Sequence, residues 1–399
     1  MAAPTVASGV GFTLSDILRV APWTQWLTWI FQVMPVFFAV GGYASAASWE
    51  AAREKGQTYD AWVSRRLQRL VRPVIPFLLF WFGLALAARW LGMGRQIVES
   101  GSQAAFLPTW FLAVYVLVVV LAPGMHAWWR RMGMMSFWLL AAGAATVDVL
   151  ARASGMEAVQ WTNHIFVWLA IHQLGFAWRD GALSAPLRAL PFALAGFTML
   201  VVLEGLAAYP VSMVTVPGRT AANSNPPTLA LLALGVTHMG VALAVEGRVR
   251  RVLEGGVSWT GTVFVNAVVM TVYLWHATVM VLLVGLAELQ GGFGLRLVPD
   301  TLAWWAWRPV WLVALLGGLA LFVSVFGRFE VTPGPPAVPP HAWRSVAGAL
   351  ALCVGLVALT AGGIWGDNVL GVRLWPALLS LGGALLVVAR GTSPPGRLP

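Results

Sequence analysis

Long apolar runs dominate this chain and leave it few ways to fold. Eleven stretches, at 20–48, 73–92, 105–125, 133–153, 160–178, 187–206, 228–246, 262–287, 303–326, 343–365 and 368–389, are each long enough to cross a bilayer as a helix. A backbone inside lipid finds no water, so a spanning segment must satisfy its own hydrogen bonds as a helix or join a closed barrel. The runs are continuous and rich in Leu, Ala and Val, without the short alternating segments of a barrel. Only 10% of the 399 residues are charged and 59% are hydrophobic, where soluble domains average about 25% and 45–50%. The expected fold class is therefore all-α: a polytopic helical integral membrane protein of eleven transmembrane helices. A soluble enzyme, a disordered chain and a disulfide scaffold are excluded, the last by a single cysteine, Cys353.

The net charge of +10 does not point to nucleic acid. The basic residues are 24 Arg and Lys55, spread along the chain with no tail or stripe. Placed on alternate sides of the eleven spans, seventeen fall on the side of loop 49–72 and seven on the other, with Arg308 inside a span. The positive-inside rule then puts loop 49–72 and the C-terminus in the cytoplasm of a multi-pass cell-membrane protein. Eleven spans with that C-terminus leave the N-terminus outside, although residues 1–19 carry no basic n-region and no compact apolar h-region.

Loop 49–72 is the most informative stretch. Val63, Leu67, Leu70 and Val71 recur at helical spacing, while Arg65, Arg66, Arg69 and Arg72 fill the remaining surface. Asp60 suits the start of this helix and Pro73 its end. The pattern predicts an amphipathic basic helix lying at the inner membrane surface. Two readings fit it: an anchor on anionic headgroups, or a phosphate site in which Arg66 and Arg69, one turn apart, grip a multiply charged ligand.

Four segments in order resemble the membrane acyltransferase 3 family, integral membrane enzymes that move acyl groups onto hydroxyl acceptors. Met34-Pro-Val-Phe-Phe-Ala-Val-Gly-Gly-Tyr43 is similar to the family's second helix. Arg66-Leu-Gln-Arg69 ahead of Pro73 is similar to its Arg-x-x-Arg motif, and Pro108-Thr-Trp-Phe-Leu112 to its Trp-Phe-Leu helix start. Tyr273-Leu-Trp-His276 resembles the late helix that reads Tyr-Leu-x-His. The resemblance covers roughly residues 20–330. It implies an acyl-CoA donor, acetyl-CoA above all, on the cytoplasmic side with Arg66 and Arg69 near its phosphates. It also implies a carbohydrate, lipid or other hydroxyl acceptor reached within or across the bilayer. Residues 1–330 would be the acyltransferase-like core, and 331–399 two additional C-terminal helices with a short tail.

The family's first helix carries a basic residue, ten intervening positions and a His regarded as catalytic. None of the six His residues here has a basic residue eleven positions before it. The expectation is a start upstream of Met1 or a truncated, inactive member of the family.

His276 lies mid-span, where an ionisable side chain is a functional candidate by default. It reads either as the general base for an acceptor hydroxyl or as a core histidine bonded to a neighbouring helix. His172 and His238 also fall within spans and read as packing residues, while His164 reads as interfacial. Asp148 and Glu204 sit near outer span ends, where they would snorkel to the interface, the commoner outcome, line an acceptor-side cavity or pair with Arg308. Loop 207–227 would cover an acceptor site or merely connect. There is no nucleophile elbow, Walker A sequence, His-Glu-x-x-His or Cys cluster, so neither a metal nor a nucleotide motor is expected. The competing classes are a secondary transporter, which the helix count would suit although the chain shows no internal repeat, and a non-catalytic membrane scaffold.

Overall fold

Two short strands, β1 (Ala2–Val6) and β2 (Phe12–Asp16), pair at the start of the chain, and among the described residues the elements that follow are helices. The computed structural model describes residues 2–6, 12–183, 186–216, 218, 222–330 and 340–389. Arg219, Arg390 and Arg397 of the charge tally, and the C-terminus, lie outside the described residues. The longer helices are α1 (Met34–Glu54), α2 (Tyr59–Val71), α3 (Val74–Trp90), α4 (Arg95–Phe106), α5 (Thr109–Met132), α6 (Met134–Ser154) and α7 (Asn163–Arg179). They continue with α8 (Pro186–Ala207), α9 (Leu229–Leu253), α10 (Gly256–Leu289), α11 (Leu302–Phe326), α12 (Ala342–Gly362) and α13 (Leu374–Val388).

Among the described residues nine helical stretches are long and apolar enough to cross a membrane, so the chain is a multi-pass helical membrane protein. Eleven were expected. The other two runs hold α7 and α13, of 17 and 15 residues, which span only about 25 and 22 Å against a hydrocarbon core of about 30 Å. Helix α7 is also enclosed by other helices of the protein. Twelve of its residues, among them Asn163, His172 and Gln173, are buried inside protein.

The chain divides into two compact units. The first comprises 14–51 and 121–259 with the extreme N-terminus, and is built around α7. Gly42 of α1 and Gly175 of α7 face each other so closely that a Cβ on Gly42 would overlap the His172 carbonyl, and one on Gly175 the Ala39 carbonyl. Phe38 stacks on Trp168 beside this crossing, 4.2 Å between ring centroids. Helices α8 and α9 meet the same way through Gly196 and Gly240. Small residues let membrane helices approach until their backbones touch, which supplies the van der Waals attraction that lipid cannot. Asp148 of α6 is buried and accepts from Asn163 Nδ2 (2.7 Å), the Tyr209 hydroxyl (2.7 Å) and the Leu229 amide that opens α9 (2.8 Å). A carboxylate at a helix N-terminus satisfies an orphan N–H and complements the dipole. Asp148 is thus a helix cap; in the second unit the Arg308 guanidinium lies 4.0 Å from the Trp304 ring and donates to the Trp304 carbonyl.

The second unit comprises residues 4–13, 52–120 and 260–399. Phe77, Trp81 and Phe106 pack edge to face in its core, and Trp275 stacks on Phe326 at 4.1 Å. Trp81 Nε1 donates to the Thr278 hydroxyl at 3.0 Å. Helix α2 is capped by the Thr58 hydroxyl, which accepts from the Ala61 amide. Its apolar face does not rest on the membrane surface, as its amphipathic pattern predicts. Trp62, Val63, Leu67, Leu70 and Val71 are buried, and the helices that cover α2 are α12 and α13.

Candidate functional site

The arginine motif, the Trp-Phe-Leu helix start and the Tyr-Leu-x-His helix all fall in the second unit and meet through one line of rings. Burial of the opposite face of α2 fixes which way its arginines point. Arg66 is half-buried with its guanidinium 5.6 Å from the Trp62 ring, and Arg69, one turn on, is exposed. Both lie within electrostatic reach of the buried Tyr115 phenol on α5. The Tyr59 hydroxyl donates to the Val120 carbonyl at 3.0 Å and holds the start of α2 against α5. Arg65 instead folds back on its own helix, donating to the Ala61 carbonyl at 3.1 Å and to Gln57.

From Tyr115 the line continues through further rings. Its ring stacks on Phe111 at 5.2 Å, and Phe111 meets Tyr273 edge to face at 5.1 Å. Tyr273 donates its hydroxyl to the Pro108 carbonyl at 2.7 Å. Its ring lies 5.8 Å from His276, one turn along α10. His276 Nδ1 is 2.6 Å from the Tyr273 carbonyl oxygen. A carbonyl only accepts, so Nδ1 is the donor, and in the neutral form of the ring the lone pair lies on Nε2. The imidazole is exposed on the surface of this unit.

The structure therefore brings Arg66 and Arg69 together, and joins them to His276 through Tyr115, Phe111 and Tyr273. Paired guanidinium groups are suited to bidentate binding of phosphate oxygens, and a neutral imidazole with a free Nε2 is suited to taking a proton from a hydroxyl. Among the described residues no three His, Cys, Asp or Glu side chains are grouped to hold a metal ion, and Cys353 is buried as a free thiol.

Two residues of this unit did not stand out in the sequence. Tyr115 was signalled only by its place one turn after Phe111. Glu330 is 3% exposed, and its carboxylate accepts from the Met270 amide (3.0 Å), the Thr271 amide (2.9 Å) and the Thr271 hydroxyl (2.8 Å). It thereby grips α10 just before Tyr273 and His276. A lone carboxylate directly after an apolar span was its only sequence signal. Of the remaining histidines, His341 is in this unit with Nδ1 3.7 Å from Asp60, and the other four belong to the first unit. His238 Nε2 donates to the Trp29 carbonyl at 2.7 Å, His164 stacks on Trp161, His172 packs edge-on to Phe176, and His126 Nε2 lies 3.2 Å from Glu50.

The chain's nine long apolar helices among the described residues define its class: a polytopic helical membrane protein. More closely, the chain belongs to the acyltransferase 3 family, whose profile, described as an acyltransferase domain, matches residues 6–327. No curated protein and no solved structure shows a significant match to it.

Proposed function

We propose that the chain transfers an acyl group, acetyl in the simplest case, from cytoplasmic acyl-CoA to a hydroxyl of a carbohydrate, lipid or other acceptor. Arg66 and Arg69 hold donor phosphates. His276 Nε2 takes the proton of the acceptor hydroxyl as its oxygen attacks the thioester carbonyl carbon. The carbon–sulfur bond then breaks, and the CoA thiolate leaves and is protonated. Family membership supports acyl transfer as the reaction class.

The observation that supports the assignment of residues is the line of rings from Tyr115, within electrostatic reach of the arginine pair, through Phe111 and Tyr273 to His276. The excess of basic residues on the α2 side supports a cytoplasmic donor site in the cell membrane. The test is acyl transfer from radiolabelled acetyl-CoA by purified protein in lipid nanodiscs. Arg66→Ala and Arg69→Ala should raise KM for the donor, and His276→Ala should lower kcat by 10²–10⁴-fold, the usual contribution of a general base. Full turnover by His276→Ala would remove that residue from the chemistry. No turnover by the wild-type chain with any hydroxyl acceptor would mark it as inactive.

A further inference from the structure

The last two helices, α12 and α13, lie beyond the residues that match the family. They form a tight hairpin. A Cβ on Gly348 would come within 2.8 Å of the Gly383 carbonyl oxygen, and one on Gly355 within 2.7 Å of the Pro376 carbonyl oxygen. Such contact makes the pair stiff, because two touching backbones leave no side chain between them to rearrange.

This hairpin grips both elements that carry the arginine site. At one end it holds α2. Ser345 Oγ lies 2.9 Å from Ser64 Oγ, which also contacts the Pro340 carbonyl oxygen at 3.3 Å, and Gln68 Nε2 donates to the Val387 carbonyl at 3.2 Å. Ser64 and Gln68 flank Arg65 and Arg66 and sit one turn apart, so they fix the rotation of α2 about its axis. At the other end the hairpin holds the segment that leads into α5. The Thr360 hydroxyl lies 3.3 Å from the Thr109 hydroxyl and donates to the Phe106 carbonyl at 3.2 Å. The Ile364 amide donates to Ser102 Oγ at 3.1 Å, and Gln103 Nε2 to the Ala361 carbonyl at 3.0 Å. One rigid body is thus bonded to the helix bearing Arg66 and Arg69 and to the helix bearing Tyr115. A basic amphipathic helix resting only on lipid would be free to roll and slide.

We infer that the C-terminal hairpin is a positioning clamp for the donor site: it holds Arg66 and Arg69 at a fixed rotation and distance from Tyr115, and donor affinity depends on it. Ser345, at the end of the hairpin that meets α2, is its positioning residue. The inference rests on the reading of Arg66 and Arg69 as the phosphate-binding pair.

The experiment measures coenzyme A binding by calorimetry to the full-length protein in nanodiscs, with melting temperature recorded for every variant. Ser345→Leu wedges a side chain between α12 and α2. It should weaken coenzyme A on the order of tenfold, raising the donor KM in turnover with kcat kept, since no reacting group is touched. Should that variant unfold, Ser64→Cys/Ser345→Cys in a Cys353→Ala background decides the matter. Two hydroxyls 2.9 Å apart place these positions within disulfide reach. The cross-linked clamp should bind coenzyme A at wild-type affinity, and its reduced form more weakly. The idea is overturned if Ser345→Leu folds and binds normally, or if the cross-linked protein loses binding. Arg66→Ala/Arg69→Ala run in parallel separates the two failures. If that variant still binds coenzyme A normally, the phosphate-site reading falls and the clamp inference with it. If it loses binding while the clamp variants keep theirs, the clamp inference alone is wrong.

Discussion

The Tyr273 hydroxyl and the Pro108 carbonyl oxygen are joined by a 2.7 Å hydrogen bond that ties α10 to the residue opening α5. The bond fixes the Tyr273 ring against Phe111 and so sets where His276, one turn on, projects. Tyr273→Phe keeps the ring contacts and leaves the Pro108 carbonyl without this donor. A neutral hydrogen bond of this kind is worth about 1 kcal/mol, which corresponds to about fivefold in rate if it is expressed at the reacting centre. The expected result is kcat for acyl transfer down by about that factor with donor KM unchanged. An unaltered kcat would make the bond a packing detail.

Glu330 offers a sharper case. Its buried carboxylate takes two backbone amides and a hydroxyl from consecutive residues of α10. Glu330→Ala strips acceptors from donors that stay buried, at about 1–3 kcal/mol for each unsatisfied group. The variant should melt well below wild type, and hydrogen exchange at Met270 and Thr271 should quicken more than at the far end of α10. Uniform exchange along the helix would show that Glu330 is not what holds that turn.

The sequence carried some of these relationships and was blind to others. The apolar face of α2 was readable from the spacing of Val63, Leu67 and Leu70, because helical periodicity reports that one face avoids water. Periodicity does not report what covers the face, and here Ser64 and Gln68 reach residues 276 and more positions away. Asp148 was visible as a carboxylate near a span end, but its partners Tyr209 and Leu229 lie 61 and 81 positions on, beyond the reach of any local pattern. Helix α7 was counted as a span because its residues are apolar on average. A helix enclosed by protein and one enclosed by lipid share that average and differ only in where Asn163, His172 and Gln173 find shelter.

Glycine provides a test of packing in the first unit. Gly42→Ala would drive a methyl group into the His172 carbonyl at the crossing of α1 and α7. Overpacking of a rigid contact costs about 1–3 kcal/mol and more when backbone is the obstacle. Gly124→Ala meets nothing within 4 Å and removes a helix-weakening glycine, a gain of about 0.5–1 kcal/mol. Thermal melts in detergent should therefore move in opposite directions for the two variants, and a shift of equal sign would contradict the close approach of α1 and α7.

Tyr209 gives a pH dependence with a definite sign. Burial, and after it the hydrogen bond to the Asp148 carboxyl, hold its phenol well above the ordinary tyrosine value, with Arg152 opposing from 3.7 Å over the ring. A group whose folded pKa is raised contributes stability that is complete below its unfolded value, about 10 for tyrosine, and is lost as pH climbs through the folded value. Melting temperature should therefore hold up to about pH 10 and fall above it. Tyr209→Phe should be less stable at neutral pH, for want of the bond to Asp148, yet lose less on going from pH 9 to pH 11. If wild type and Tyr209→Phe decline in parallel over that interval, the alkaline loss comes from another group and the Tyr209–Asp148 bond is not its source.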